Sequence, residues 1–245
     1  MSDGQHQEGG AHLAVTAITG GTARVGSRQY LASEHLWNAR RNARRCRERE
    51  DALVAAGFQG VDMEQRSLAV ASVLTSVAFL EALVNEVWQD AADSLPGQPN
   101  SRLTGIPEPA VARLRELWQS DRVERALSPL DKCRIALVCA DKAALDQGQE
   151  PYQSVKALVE LRNALVHFKP EIQWDTDVHR IEKVLGRRVS ENPLPQGSPW
   201  FPNRVLGAGL AEFSPTVCVE LASLWRQRLG LQRDFLSDFA AWPVP

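Results

Sequence analysis

Residues 67–84, SLAVASVLTSVAFLEALV, constrain the fold more than any other stretch of this 245-residue chain. They carry one charge, Glu81, and read as a helix that is apolar around most of its circumference. The length is that of a short membrane span, but Ser72, Thr75, Ser76 and Glu81 interrupt it and acidic residues flank it. A central helix sheathed by other helices is the expected outcome, and no membrane partner is expected.

The rest of the chain supplies that sheath. Helical patterns run from about residue 28 to 57, where Gly57 is a natural stop, and from about 62 to 94, ending before Pro96. A short helix is expected at about 110–119. Another is expected over 130–145, with Ser128 as its cap and Pro129 at its first position. Pro151 opens the next helix, and a further one is placed at about 174–187. ENPLPQGSPWFPN forms a Pro-rich loop, and Ser214-Pro215 opens a last helix to about residue 239. Residues 1–27 are either a flexible tail or a small hairpin around Gly20-Gly21. Residues 28–245 thus form an all-α domain, an up-and-down bundle of about four to six helices.

A net charge of −2 spreads no positive field over the molecule as a whole. Cys46, Cys133, Cys139 and Cys218 lie apart, without C-x-x-C spacing or nearby histidines. That pattern argues against a metal site or a disulfide framework and fits a reducing compartment. The start, MSDGQHQEGG, lacks the basic-then-apolar order of a signal peptide, so the expected location is the cytoplasm. No cofactor is implied.

The informative helix is the one after Pro151. Turned at about 100° per residue, Lys156, Glu160, Asn163 and His167 form one polar stripe within about 60° of arc. Val155, Leu158, Val159, Leu161, Leu165, Val166 and Phe168 take most of the opposite side. Arg162 falls inside that apolar arc, and a guanidinium there must snorkel, meet a carboxylate or face a cleft. The central helix has the complementary misfit. Glu81 lies amid Val70, Val73, Leu74, Val77, Leu80, Val84, Val87 and Trp88, with Asn85 at the arc's edge. Glu81 and Arg162 are therefore expected to pair. The pair is either a register device or an orienting contact at the rim of a site whose other edge is His167. Imidazole suits proton transfer near neutral pH, and guanidinium suits a phosphate.

LRNALVHFKPE resembles the signature helix of HEPN-fold proteins, an Arg followed four to six residues later by a His, often with a polar residue after the Arg. Arg162, Asn163 and His167 occupy those positions. SVAFLEALVNEVW and SPLDKCRIALVCADK extend the resemblance over about residues 60–170. It implies a bundle that forms a homodimer through two such helices. It further implies a metal-independent endoribonuclease in a toxin–antitoxin, abortive-infection or other defence role, with RNA as substrate and an antitoxin as partner. On that reading His167 handles the proton of the ribose 2′-hydroxyl or of the leaving 5′-oxygen. Arg162 stabilises charge on the phosphate, Asn163 positions His167 or the substrate, and Glu81, Asn85 and Glu160 support them. The alternative is a non-catalytic HEPN-like module that binds nucleotide, RNA or a protein. Some HEPN toxins carry a tyrosine two residues after the His, which a partner nucleotidyltransferase modifies; Lys169 stands there, which argues against that neutralisation.

ARRNARRCRER places Arg40, Arg44 and Arg47 on one face, readable as an RNA-contacting ridge or as a solvated face paired with Glu48, Glu50 and Asp51. His179 is read as an ordinary surface or core residue. Trp88, Trp118 and Trp225 are assigned to core or interface. Trp200-Phe201 is read as either covering a groove or packing its loop onto the bundle.

Overall fold

The computed structural model describes residues 13–19 and 22–235, apart from 99, 121–122, 124–125, 171, 173–176 and 195–198. Its helices are α1 (Ala32–Ala55), α2 (Met63–Asp93), α3 (Glu108–Trp118), α4 (Pro129–Cys139), α5 (Tyr152–Val166), α6 (Arg180–Leu185) and α7 (Ala208–Leu229). One antiparallel hairpin precedes them, β1 (Leu13–Thr19) and β2 (Thr22–Arg28), with Thr19 opposite Thr22. Of the two expectations for the N-terminal segment, the hairpin strands are present over 13–19 and 22–28, while residues 1–12 and the Gly20-Gly21 turn lie outside the described residues.

α2 is the axis of the bundle: α1, α3, α4, α5 and α7 all pack on it. It is the one helix among the described residues long and apolar enough to cross a membrane, and half of its most apolar window is buried within the fold. Phe79, Leu80, Val84 and Trp88 are inaccessible to solvent. Asp62 caps its start by accepting from the Gln65 amide at 2.8 Å. Near its C-terminal end Asp90, 2% exposed, accepts from Tyr30 Oη at 2.9 Å and Arg102 Nε at 2.6 Å. Arg28, at the end of β2, also reaches Asp90, at 3.6 Å, and ties the hairpin to the axis.

The hydroxyls that interrupt α2 are accounted for within the fold. Thr75 and Ser76 each donate to the carbonyl four residues back, at 2.6 and 2.7 Å. Ser72, fully buried, crosses instead to α7 and donates to the Ala211 carbonyl at 2.7 Å. That carbonyl lies four residues before Pro215, whose ring has no N–H to give it. Ser72 therefore replaces the missing helical bond, and α7 begins seven residues earlier than the sequence pattern suggested, with Pro215 inside it. Ser72→Ala should cost about 1–3 kcal/mol, the range for a buried acceptor left unsatisfied. The cost should shrink in a Pro215→Ala background, where residue 215 regains its N–H. A double-mutant cycle in urea measures this, and equal costs in both backgrounds would refute the substitution.

α7 also ends at Leu229 rather than near 239, where Gly230 takes the left-handed region (φ 86°), and two other helices are shorter than expected. α4 stops at Cys139 rather than near 145, because Asp141 turns into the left-handed region (φ 54°) and the Lys142 amide folds back to the Leu137 carbonyl. α6 starts only after His179, whose side chain caps it, and ends before Gly186; residues 174–176 of that expectation lie outside the described residues.

The loop before α7 is anchored by a buried polar network. Glu50 of α1, 4% exposed, accepts from Gln65 Nε2 at 2.7 Å and from the Ala208 amide at the start of α7 at 2.8 Å. Asn192 donates to Gln65 Oε1 at 3.2 Å and to the Leu206 carbonyl at 2.9 Å. Backbone packs so close here that a Cβ on Gly207 would stand 2.8 Å from Glu50 Oε2 and 2.7 Å from Asn192 Cβ. Trp200 and Phe201, 5% and 2% exposed, are folded down with this loop onto the bundle.

Candidate functional site

α5 buries Tyr152, Ser154, Val155, Ala157, Leu158 and Leu161 against the bundle. Lys156 and Asn163 are exposed along the opposite stripe, and Glu160 is half-buried. At the seam with α2, Arg162 Nη2 lies 3.3 Å from Glu81 Oε2, with side-chain exposures of 26% and 44%. The two misfits meet, and water still reaches both. Glu81→Gln and Arg162→Ala should each lower unfolding stability by only about 0.5–1 kcal/mol, because a half-exposed pair is screened. A urea titration of each variant tests this; a loss several times larger would mean the pair locks helix register.

Asn85 does not join them. Its Oδ1 accepts from Lys132 Nζ of α4 at 2.7 Å, and that ammonium, 2% exposed, lies 5.3 Å from the Trp118 ring. Asn85 thus compensates a buried cation between α2 and α4.

His167 is the C-terminal cap of α5: its amide donates to the Asn163 carbonyl at 2.9 Å, and the chain then leaves the helix. Because the helix ends here, Val166 and Phe168 are 54% and 51% exposed rather than part of the buried arc. The exposed His167 side chain lines a hollow of about 430 Å³ together with Lys169, His179, Arg180, Phe168 and Phe201. α6 positions His179 by using it as a cap: Nδ1 accepts from the Ile181 amide at 3.1 Å, so the ring proton of the neutral form sits on Nε2. The His179 ring stacks on buried Phe201 at 4.5 Å and 10°. Phe168 leans toward Phe201 at 6.3 Å. The floor is aromatic and fixed, and the rim is basic.

Arg162 takes no part in lining this hollow. Arg162 turns to Glu81 on α2, whereas His167, just past the end of α5, faces His179 and Arg180. Within one chain the motif's two ends serve different surfaces.

Arg40, Arg44 and Arg47 do share a face, along a groove between α1 and α7. That face carries its own counter-charge. Glu48 lies 3.5 Å from Arg44, and Arg47 donates to Glu212 at 3.0 and 2.6 Å and to Glu50 at 3.1 Å. The solvated, internally paired reading therefore describes Arg44 and Arg47. All four cysteines are buried, and burial pushes the Cys46 thiol up to about 12, which keeps it protonated and unreactive near neutral pH. Among the described residues no three His, Cys, Asp or Glu side chains cluster as metal ligands do.

Lys169, His179 and Arg180 were not legible as site residues, and Phe201 was legible only as one of a pair that covers a groove or packs its loop down. The local signal was the dipeptide His179-Arg180 at a helix start; the contribution of Phe201 is tertiary. Comparison of the chain with family models, curated proteins and solved structures finds no match.

Proposed function

We propose that the chain is a metal-independent endoribonuclease of the HEPN type, cytoplasmic, acting in a toxin–antitoxin, abortive-infection or other defence role. The observation that supports it is the company His167 keeps: an exposed imidazole beside two cations and an aromatic floor in one hollow. In the proposed step His167 takes the proton of a ribose 2′-hydroxyl. The 2′-oxygen bonds to the adjacent phosphorus, the bond from phosphorus to the 5′-oxygen breaks, and that oxygen takes a proton from water as it leaves, while His167 keeps the proton of the 2′-hydroxyl until it returns it to solvent. The products are a 2′,3′-cyclic phosphate and a 5′-hydroxyl. Asn163, exposed one turn before His167 though not lining the hollow, is assigned to steadying substrate or imidazole. Arg162 supplies charge from the facing helix of a second copy, exchanging its half-exposed contact with Glu81 for the phosphate.

A non-catalytic module that binds RNA or nucleotide through the same hollow is the second reading. The observation favouring it is the separation of Arg162 from His167 within one chain. Incubating the protein with mixed cellular RNA in EDTA distinguishes the two. Fragments ending in cyclic phosphate support the nuclease; saturable binding with intact RNA selects the module.

A further inference from the structure

Three features meet at the rim of the His167 hollow. Lys169 and Arg180 are exposed there, and no carboxylate among the described residues pairs with either. This is unlike Arg44, Arg47, Arg49 and Arg102, each of which faces an acidic side chain. Phe168 offers a half-exposed ring beside a floor that the His179–Phe201 stack holds still. The hollow's volume, about 430 Å³, falls among small-ligand pockets, which run from about 300 to 1,000 Å³. A single nucleotide is the unit of RNA that suits it; a duplex is not.

We infer that the hollow holds one unpaired nucleotide of a single RNA strand, with its phosphate between Lys169 and Arg180 and its base on the exposed face of Phe168. The choice of RNA rests on the ribonuclease reading above. The rest follows from chemistry. An ammonium and a guanidinium with no carboxylate partner among the described residues attract a phosphate, a phenyl ring offers any base a stacking surface, and only an unpaired base can turn onto it. Ground-state binding is thereby assigned to residues of one chain on the His167 side of α5, separate from Arg162.

The test uses a short fluorescent single-stranded 2′-O-methyl oligonucleotide, which lacks the attacking hydroxyl and so reports binding alone. Anisotropy is followed across a salt series. Lys169→Gln with Arg180→Gln should reduce the slope of log affinity against log salt by about 1.4, at about 0.7 for each lost phosphate contact on a single strand. Phe168→Ala should weaken binding about ten-fold at fixed salt, within the range for one stacked base. Arg134→Gln, which removes an exposed charge on α4 away from the hollow, should change neither, and all these variants should melt as wild type does. An unchanged slope in the double variant, an equal loss with Arg134→Gln, or equally tight binding of a duplex of the same length would overturn the inference. Binding that behaves as described while ordinary RNA stays intact would retain the inference and reject the nuclease. RNA cleavage insensitive to the double substitution would do the reverse.

Discussion

His167→Ala should lower RNA cleavage by about 100- to 10,000-fold, the usual contribution of a positioned general acid or base. The loss should appear without loss of fold. His167 is exposed and closes α5 through its backbone amide, a bond to the Asn163 carbonyl that alanine makes equally well. Helical circular dichroism and the melting temperature should therefore match wild type. Binding of the 2′-O-methyl oligonucleotide should also persist, because the cations that hold phosphate lie on neighbouring residues. Single-turnover rates on ordinary RNA, measured in EDTA, decide the matter. Cleavage at the wild-type rate would remove His167 from the chemistry.

Glu50→Ala should have the largest effect on stability, about 3–4 kcal/mol. Glu50 is 4% exposed, and its loss strands two donors at once: the Gln65 side-chain amide and the Ala208 amide that opens α7. Bonds to a buried charge are worth about 1.5–3 kcal/mol each, and their losses here are coupled. Arg47 keeps its two bonds to Glu212, so no cation is stranded and the cost stays short of the upper end, about 5 kcal/mol, for a broken buried ion pair. In a domain of this size the melting temperature should fall by about 10 °C. Glu48→Ala, an exposed acid on the same helix 3.5 Å from Arg44, is the matched comparison and should shift it by under about 2 °C. Equal shifts in the two variants would remove Glu50 from the role of buried anchor.

Much of the architecture can be read locally, because the signals at helix ends are local. Asp62 caps α2 and Ser128 caps α4 with Pro129 in the first turn, both as the residue types demand. The Glu81–Arg162 contact was legible for a related reason: a charge within an apolar arc has few places to go. The start of α7 was hidden because Pro215 is a strong local stop signal. The hydroxyl that overrides it comes from Ser72, 139 positions before the Ala211 carbonyl it reaches. The hollow was hidden in the same way. Helical periodicity put Val166 and Phe168 into the core, but α5 ends at Val166, and the wheel has no meaning past that point. What faces His167 arrives from α6 and from the loop carrying Phe201, and nothing local in either segment says that it packs beside the end of α5.

The order in which the chain leaves the ribosome follows from the central place of α2. α1 is made first and can cover one side of that greasy rod as it emerges, but α7, which covers another, comes more than a hundred residues later. Until then a surface apolar enough for a bilayer faces solvent, open to chaperones and to its own copies. A nascent chain halted before residue 208 should therefore clump, and adding back a peptide spanning 208–229 should keep it in solution.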